Sequence, residues 1–397
     1  MILMRAGAVF TQLKQVFTEC EGAHKPDKPI DRALAVVHGV HMFTGNSTGT
    51  LARRVLRSPL IDLLTGPHGV DRYTELVAPT WTDAEARAQV VAVTRPTPRA
   101  VTLTLRPNRA FTGFRAGQHV NLAVEIDGRR RVRPYSPACA ENAGHLELTI
   151  GRHDGGLVST YLYEHASPGM VVGLSDAAGD FVLPAERPHR ILFISGGSGI
   201  TPVMSMLRTL RAERFAGEIA FLHYARGADE ACYRAELAAM TGVRVLHGYT
   251  RATDGSDLDG RFGPAHLAKA MPDLDSDTAV YVCGPAELVD AVKTHCPQAR
   301  SESFVPPRLT TVASGGAVRF TKSGTTVTDD GRPLLEQAEA AGLTPESGCR
   351  MGICHSCTRR KTHGVVKNLI TGAVSGPDAE DVQICVSAPV GDVDLLL

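Results

Sequence analysis

The spacing of apolar residues changes character along the chain, and each change marks a different kind of element. Over residues 1–84, DRALAVVHGVHMF and TGTLARRVL carry helical spacing, with Leu51 and Val55 four apart and Pro59 interrupting the second run, which predicts a helical N-terminal extension. From about residue 85 the period becomes two. Val101, Leu103 and Leu105 share one face, as do Val120, Leu122, Val124 and Ile126, and then Leu146, Leu148 and Ile150. Half-buried strands joined by turns such as IDGRR and RHDGG predict a small antiparallel β-barrel over 85–187.

At Pro188 the pattern changes again. RILFISGG is a continuous apolar strand ending in glycines, and TPVMSMLRTLRAERFAG after it has a helical stripe of Val203, Met206, Leu207 and Leu210. Pro202 suits the first turn of that helix, and Gly217 is expected to end it. EIAFLHYAR and TAVYVCGP predict further buried strands, and AELVDAVKTH a helix, so 188–304 is expected to be an α/β domain around a parallel sheet with its ligand at the strands' C-terminal ends. The Pro/Ser/Gly-rich stretch 305–316 is a linker. Beyond it, AVRFTKSGTTVTDDG predicts a hairpin and RPLLEQAEAAG a short helix closed by Gly342, giving an α+β domain over 317–397.

Composition narrows the class. At 397 residues two to four domains are expected, and Lys plus Arg balances Asp plus Glu at 42 each, which gives no reason to expect a nucleic-acid partner. No run is long and apolar enough to cross a bilayer, and the start, MILMRAGAVFTQLKQVF, lacks the continuous apolar core of a signal peptide. Nine unevenly spread cysteines do not suit a secreted disulfide framework. A soluble cytoplasmic protein is expected. TLARRVLRS, basic and mildly amphipathic, leaves peripheral contact with an anionic membrane open, although such a run more often marks a solvated helix face.

Four stretches suggest chemistry. In SGGSGITP a buried strand runs into glycines and then a helix start, so backbone N–H groups at Gly196, Gly197 and Gly199 can approach a pyrophosphate; taken alone, such a turn is equally a tight connection. CGP, with Cys283 and Gly284, ends another strand that could face the same ligand, though Cys283 could also be a small buried hydrophobe. In RVRPYSPA, Arg133 offers a fork for phosphate, Tyr135 a flat ring for an aromatic cofactor and Ser136 a hydroxyl for a ring heteroatom. GGLVSTYL places Gly156 and Ser159 where the chain turns into a helix, a further phosphate cradle.

The fifth is GCRMGICHSC. Cys349, Cys354 and Cys357 form C-x₄-C-x₂-C, and Cys385 follows after 27 intervening residues. Four thiolates at this spacing match a plant-type [2Fe–2S] site. A Cys₄ zinc site is the alternative, but zinc usually takes two C-x₂-C knuckles, and a disulfide is a third reading. Gly348 and Gly352 supply backbone freedom, with N–H groups near the sulfurs. Cys20, Cys139, Cys232 and Cys296 lack partners at ligand spacing and read as packing residues, and His38 and His41, three apart on a predicted helix, read as structural.

R-x-Y-S, G-G-x-x-S-x-x-L, G-G-x-G-I-T-P and C-G-P, in that order over residues 86–304, resemble the ferredoxin–NADP⁺ reductase superfamily, and 317–397 resembles plant-type ferredoxins with their β-grasp fold. The resemblance implies FAD held by Arg133, Tyr135 and Ser136 with Gly156 and Ser159 at its phosphates. It implies a nucleotide site lined by Gly196, Gly197, Gly199, Thr201 and Gly284, with Ser136 and Cys283 as the catalytic pair beside the nicotinamide. Phe304 stands in an E-x-F-like position where relatives put an aromatic near the flavin. Four cysteines then hold a [2Fe–2S] cluster. Electrons would pass from NAD(P)H to FAD to the cluster and on to an acceptor protein, the flavin converting a hydride pair into single electrons. Arg226 and Arg234, beyond the second strand, favour NADPH over NADH, with Asp229 and Glu230 pulling the other way. SPLIDLLTGPHGVDRYTELVAPTW looks like reductases that serve membrane di-iron acyl-CoA (stearoyl-CoA Δ9) desaturases, which makes a desaturase the expected acceptor. The alternatives are a soluble Rieske-type, steroid or aromatic-ring oxygenase as acceptor, or a non-enzymatic iron–sulfur redox sensor. Arg350, Met351 and His355, on the cysteine loop, are the expected docking face.

Overall fold

The computed structural model describes Thr80 and residues 85–252, 254–304 and 309–397. The predicted N-terminal helices, His38 and His41, Cys20 and nearly all of the desaturase-like stretch at 58–81 lie outside the described residues. Three sheets account for the rest.

The first is antiparallel. Its strands are β1 (Arg87–Thr97), β2 (Ala100–Pro107), β3 (Val120–Ile126), β4 (Arg129–Tyr135), β5 (Leu146–Gly151) and β6 (Val171–Leu174), in the order β4-β3-β6-β1-β2-β5. The period-two residues face one core: Val101, Leu103, Leu105, Val120, Leu122, Val124, Leu146, Leu148 and Ile150 are buried, closed over by Val158 and Leu162 of helix α1 (Leu157–His165). Each such side chain contributes about 1.5–3 kcal/mol by leaving water, so the alternation itself selects the register. Just past β4 the Ala138 amide donates to Glu147 O of β5 at 2.8 Å, so the two edge strands of the sheet meet there.

The second sheet is parallel: β7 (Arg190–Gly196), β8 (Glu218–Ala225), β9 (Val243–Tyr249), β10 (Ala279–Cys283) and β11 (Arg300–Glu302), ordered β11-β10-β7-β8-β9. Helices α2 (Ile200–Ala212), α3 (Arg234–Ala239), α4 (Pro264–Ala270) and α5 (Ala286–His295) connect the strands. From β7 the chain proceeds to β8 on one side and later to β10 on the other, so strand order reverses between β7 and β10. A crevice opens at such a switch point, beyond the strands' carboxyl ends. Val203, Met206, Leu207 and Leu210 of α2 are buried against β7, β8 and β10, as their spacing predicts. The helix does not end at Gly217, however. It ends at Ala212, where Arg214 takes the left-handed conformation (φ 56°) and the Phe215 amide donates to Leu210 O at 2.9 Å. Gly217 is needed for space instead, since a Cβ there would lie 2.3 Å from His189 O.

The third sheet grips helix α6 (Leu334–Ala340). It contains β12 (Ala317–Phe320), β13 (Thr325–Thr328), β14 (Thr358–Asn368), β15 (Glu380–Gln383) and β16 (Ser387–Leu395), in the order β13-β12-β16-β14-β15. β12 and β16 are parallel and the other neighbours antiparallel. Leu334, Leu335 and Ala338 pack on Val318, Phe320, Val393 and Leu395. Gly342 ends α6 as expected, at φ 83° with the Leu343 amide donating to Ala338 O at 3.0 Å. None of the described helices is long and apolar enough to cross a membrane.

Candidate functional site: a buried hydroxyl, a polar rung and a four-sulfur loop

The sequence-predicted residues gather in three places. At the end of β4, Ser136 is buried and its Oγ has no hydrogen-bond partner. A buried hydroxyl left unmatched carries a desolvation cost that a ligand heteroatom can relieve, so this is a position built to receive one. Arg131 Nε, further back on β4, is likewise buried and unmatched. Arg133 is half-buried, with Nη1 donating to its neighbour Val132 O at 2.8 Å. Burial pushes the Tyr135 phenol well above its usual range, opposed by the Arg133 charge, so the ring stays neutral. The α1 turn is already tightly wound. Ser159 Oγ accepts from the His153 amide at 3.2 Å and donates to Gly156 O at 3.4 Å, and a Cβ on Gly156 would lie 2.6 Å from that hydroxyl.

The second place is the switch point. β7 ends in Gly196, and a 3₁₀ turn, Gly197–Gly199, leads into α2. The glycines serve different ends. Gly197 is exposed at φ 54°, a conformation that favours glycine. Gly199 is buried, and a Cβ there would sit 2.2 Å from Cys283 O, while Gly196 and Gly284 face each other backbone to backbone. Three of the four glycines therefore let the ends of β7 and β10 close on one another. Thr201 is buried beneath the turn, its hydroxyl donating to Ser198 O at 3.2 Å, so only Gly197 and Ser198 are exposed along this turn. Arg226 follows β8 half-exposed, 3.5 Å from Glu230, and Arg234 opens α3, exposed and close enough to influence His247 and Tyr249.

Strand register reveals more than the motifs do. Glu302, Cys283, Ser195, His223 and His247 are paired in turn across all five strands, making one rung of the parallel sheet. Residues paired this way project from the same face, so five polar groups form a row at the strands' carboxyl ends. Ser195 Oγ lies 2.8 Å from His223 Nδ1. Burial and the neighbouring His247 hold the His223 imidazole at about 3, hence neutral. Cys283 is fully buried, and burial together with the Glu302 carboxylate pushes its thiol well up, so it is a thiol and not a thiolate. Phe304, half-buried, packs in the cluster that joins Ala116 and Ala138, which flank β3 and β4, to Cys283. Glu302, Ser198 and the Ser195–His223–His247 run escape motif reading, because alternation tells which face a residue takes but not which strand lies beside it. Glu302 sits in the same E-x-F-like run as Phe304, the one available signal.

The third place is the cysteine loop. Cys349 Sγ accepts from the amides of Met351, Ile353 and Cys354 at 3.3 Å each, and Cys354 Sγ accepts from the Cys349 amide at 3.1 Å. The Gly352 amide reaches Cys385. The sulfurs form two pairs. Cys349 hydrogen-bonds Cys354, holding that thiol at about 5 and raising its partner, and Cys357 hydrogen-bonds Cys385, holding the former at about 7 and raising the latter. All eight cysteines among the described residues are free, so the disulfide reading fails. Four sulfurs gathered as two pairs suit the four cysteine ligands of a [2Fe–2S] centre, which takes them as thiolates. Gly348 matters for space, since its Cβ would lie 2.3 Å from Cys354 Sγ, while Arg350 (φ 59°) and His355 (φ 56°) bend the loop around the sulfurs. Of the expected docking face, Arg350 and His355 are exposed. Arg350 is committed to a two-pronged pair with Glu339 of α6, Met351 is half-buried, and His355 Nδ1 lies 3.1 Å from Gln383 Nε2.

Comparison with known proteins agrees with this layout. Residues 91–182 match the oxidoreductase FAD-binding domain, 193–294 the oxidoreductase NAD-binding domain and 319–390 the 2Fe-2S iron-sulfur cluster binding domain. An NADPH oxidoreductase of Mycobacterium tuberculosis is 34% identical over 341 residues, covering 83% of this chain and 89% of that protein. A glycine betaine monooxygenase reductase subunit of Pseudomonas aeruginosa is 29% identical, covering 70% of this chain and 86% of its own. In fold, phthalate dioxygenase reductase superposes with TM-score 0.53 at 23% identity, covering 78% of this chain and 97% of that one. The chain belongs to the ferredoxin–NADP⁺ reductase family, in the branch that carries a C-terminal [2Fe–2S] ferredoxin domain. It is an oxidoreductase that takes electrons from NAD(P)H through FAD to a [2Fe–2S] centre and passes them to an acceptor protein.

Proposed function

We propose that this reductase uses NADPH to supply a membrane di-iron acyl-CoA desaturase, of the stearoyl-CoA Δ9 type, from the cytoplasmic side. The observation that carries the acceptor is the stretch SPLIDLLTGPHGVDRYTELVAPTW, which looks like the corresponding segment of desaturase reductases. NADPH is favoured by Arg226 and Arg234 at the carboxyl end of the sheet, where an added phosphate would be met by two guanidinium groups, and by the name of the mycobacterial relative. The working domains run over 85–187, 188–304 and 317–397, with the linker 305–316, behind an N-terminal extension at 1–84 whose sequence pattern predicts helices.

Within it, Arg133, Tyr135 and Ser136 hold the flavin, with Gly156 and Ser159 shaping the turn at its phosphates and Phe304 against its ring. Gly196, Gly197, Gly199, Thr201 and Gly284 build the nucleotide turn, with Gly197 its exposed point. Ser136 and Cys283 are the groups nearest the transfer point. The Ser136 hydroxyl, unmatched within the protein, orients a ring heteroatom, and Cys283, buried as a neutral thiol, does not compete as a nucleophile. Flavin chemistry supplies the conversion of a hydride into single electrons. Cys349, Cys354, Cys357 and Cys385 hold the cluster.

Purified protein and NADPH added to desaturase-containing membranes are expected to yield Δ9-unsaturated acyl product, with NADH in parallel giving a lower rate. Cytochrome c reduction without unsaturated product would remove the desaturase and leave the reductase intact. A second reading, supply of a soluble oxygenase, is favoured by relatives named as reductase subunits of glycine betaine monooxygenase and stachydrine N-demethylase. It predicts product with such an oxygenase in place of the membranes.

A further inference from the structure

Where the first two sheets meet, a histidine that no motif marks faces the acidic end of the polar rung. His119 precedes β3, is 5% exposed, and its Nδ1 lies 3.6 Å from Glu302 Oε1. Neither ring nitrogen has a hydrogen-bond partner, nor does Glu302 Oε2, which is buried as well. Two polar groups from different sheets have thus been withdrawn from water towards each other, an arrangement that persists only if the pair, or a ligand beside it, satisfies them.

The surroundings hold this meeting in place. The His119 backbone exchanges two hydrogen bonds of 2.9 Å with Ala178, tying the start of β3 to the segment after β6 and fixing where the ring emerges. Gly179, next along, sits at φ 110°, and a Cβ there would lie 3.2 Å from Nδ1 and 3.9 Å from Glu302 Oε1. A larger residue would press on both partners. Arg300, the neighbouring cation on β11, is otherwise engaged, donating to Val182 O at 3.1 Å and lying over the Tyr281 ring. On the flavin side, Val120 is opposite Tyr135, so His119 and Ser136 leave the same end of the β3–β4 ladder. On the nucleotide side, Glu302 is paired in register with Cys283.

We propose that His119 is a positioning residue of the reductase: its imidazole holds the Glu302 carboxylate at the seam between the two sheets, and so sets where that carboxylate stands relative to Cys283 and Ser136. The inference rests on the assignment of that seam as the place where nucleotide and flavin meet. Loss of the imidazole frees the carboxylate and slackens the seam without touching the nucleotide turn, so the rate falls and nucleotide binding does not.

The test uses the full chain loaded with FAD and cluster, and anaerobic stopped-flow reduction of the flavin by NADPH. His119→Ala is expected to lower the limiting rate about 10-fold or more, as small displacements at a transfer point do. The NADPH concentration giving half that rate should move by less than about 2-fold. His119→Gln, which keeps a donor, is expected to restore part of the loss. The double variant His119→Ala/Glu302→Gln should be no slower than Glu302→Gln alone. Urea unfolding of the parent, His119→Ala, Glu302→Gln and the double variant supplies a readout independent of turnover, in which the two substitutions are likewise expected to be non-additive. An unchanged rate in His119→Ala, or additive effects in either the rate or the unfolding midpoint, overturns the proposal. If the parent protein is not reduced by NADPH or NADH at all, the assignment of the seam fails instead, and the unfolding cycle still decides whether His119 and Glu302 act as a pair.

Discussion

His223 illustrates how a single buried side chain makes stability depend on acidity. Its imidazole, neutral and 2.8 Å from Ser195 Oγ, is held at about 3 by burial and by His247, against about 6.5 in the unfolded chain. Between those values the unfolded state binds a proton that the folded state refuses, so stability is complete above about pH 6.5 and falls as pH drops toward 3. This one residue can contribute up to about 1.4 kcal/mol per pH unit in that window. His247 adds in the same direction, lowered by burial and by Arg234 and raised by Asp257. His223→Asn, which keeps a partner for Ser195, is therefore expected to flatten the decline of urea midpoint between pH 6.5 and 4, and an unchanged slope would show that the ring is protonated freely. Lys361 is also fully buried. Its ammonium donates to the carbonyls of Gly364, Gly376 and Asp378 at 2.8, 2.9 and 2.5 Å, with Glu380 at 3.5 Å, which pins the loop before β15 to β14.

At the scale of elements, helix α2 joins the flavin-side sheet to the parallel sheet. Arg208 on it bonds Glu236 of α3 through both nitrogens at 2.8 and 2.6 Å, Glu147 of β5 at 2.7 Å and Ala138 O at 2.8 Å. Its guanidinium lies over the Tyr233 ring, and the Tyr233 hydroxyl bonds Thr149 and Glu147. Ser205, also on α2, donates to Cys139 O at 2.7 Å. The planar fork is what lets one side chain satisfy partners on three elements, and lysine has no equivalent geometry. Because Arg208 and Glu147 keep about a fifth of their exposure, truncation should cost less than a wholly buried pair. Arg208→Met is expected to lower stability by about 2–3 kcal/mol. Arg208→Lys should recover only part of it, as measured by chemical denaturation. Full recovery by lysine would mean that charge alone, and not the fork, joins the sheets.

For the whole molecule, the cluster loop and the nucleotide turn belong to different sheets, which makes the electron path divisible. Gly348 leaves room for Cys354 Sγ where a Cβ would lie 2.3 Å away, a distance no side chain tolerates. Gly348→Ala is expected to abolish the cluster's visible absorption and transfer to the acceptor protein, while flavin reduction by NADPH stays within about 2-fold of the parent, since sites on different sheets that share no partners act independently. Loss of flavin reduction as well would show that the ferredoxin domain supports the first step.

Much of this organisation was legible in the linear order of residues. Period-two runs at Val101–Leu105 and Leu146–Ile150, the apolar run into Gly196 and the stripe on α2 each bury one face of a local element, and local periodicity is written directly in sequence. The four cysteines were legible too, because ligand spacing within a tight loop is itself local. Tertiary structure alone decided what stands across a strand or a domain boundary. The rung from Glu302 to His247, the facing of His119 and Glu302, the closure of Gly199 on Cys283 O and the engagement of Arg350 by Glu339 all join residues distant in the chain or on separate elements. Periodicity gives the face a side chain takes, whereas its neighbour is set by strand order and register, which arise only when the sheets assemble.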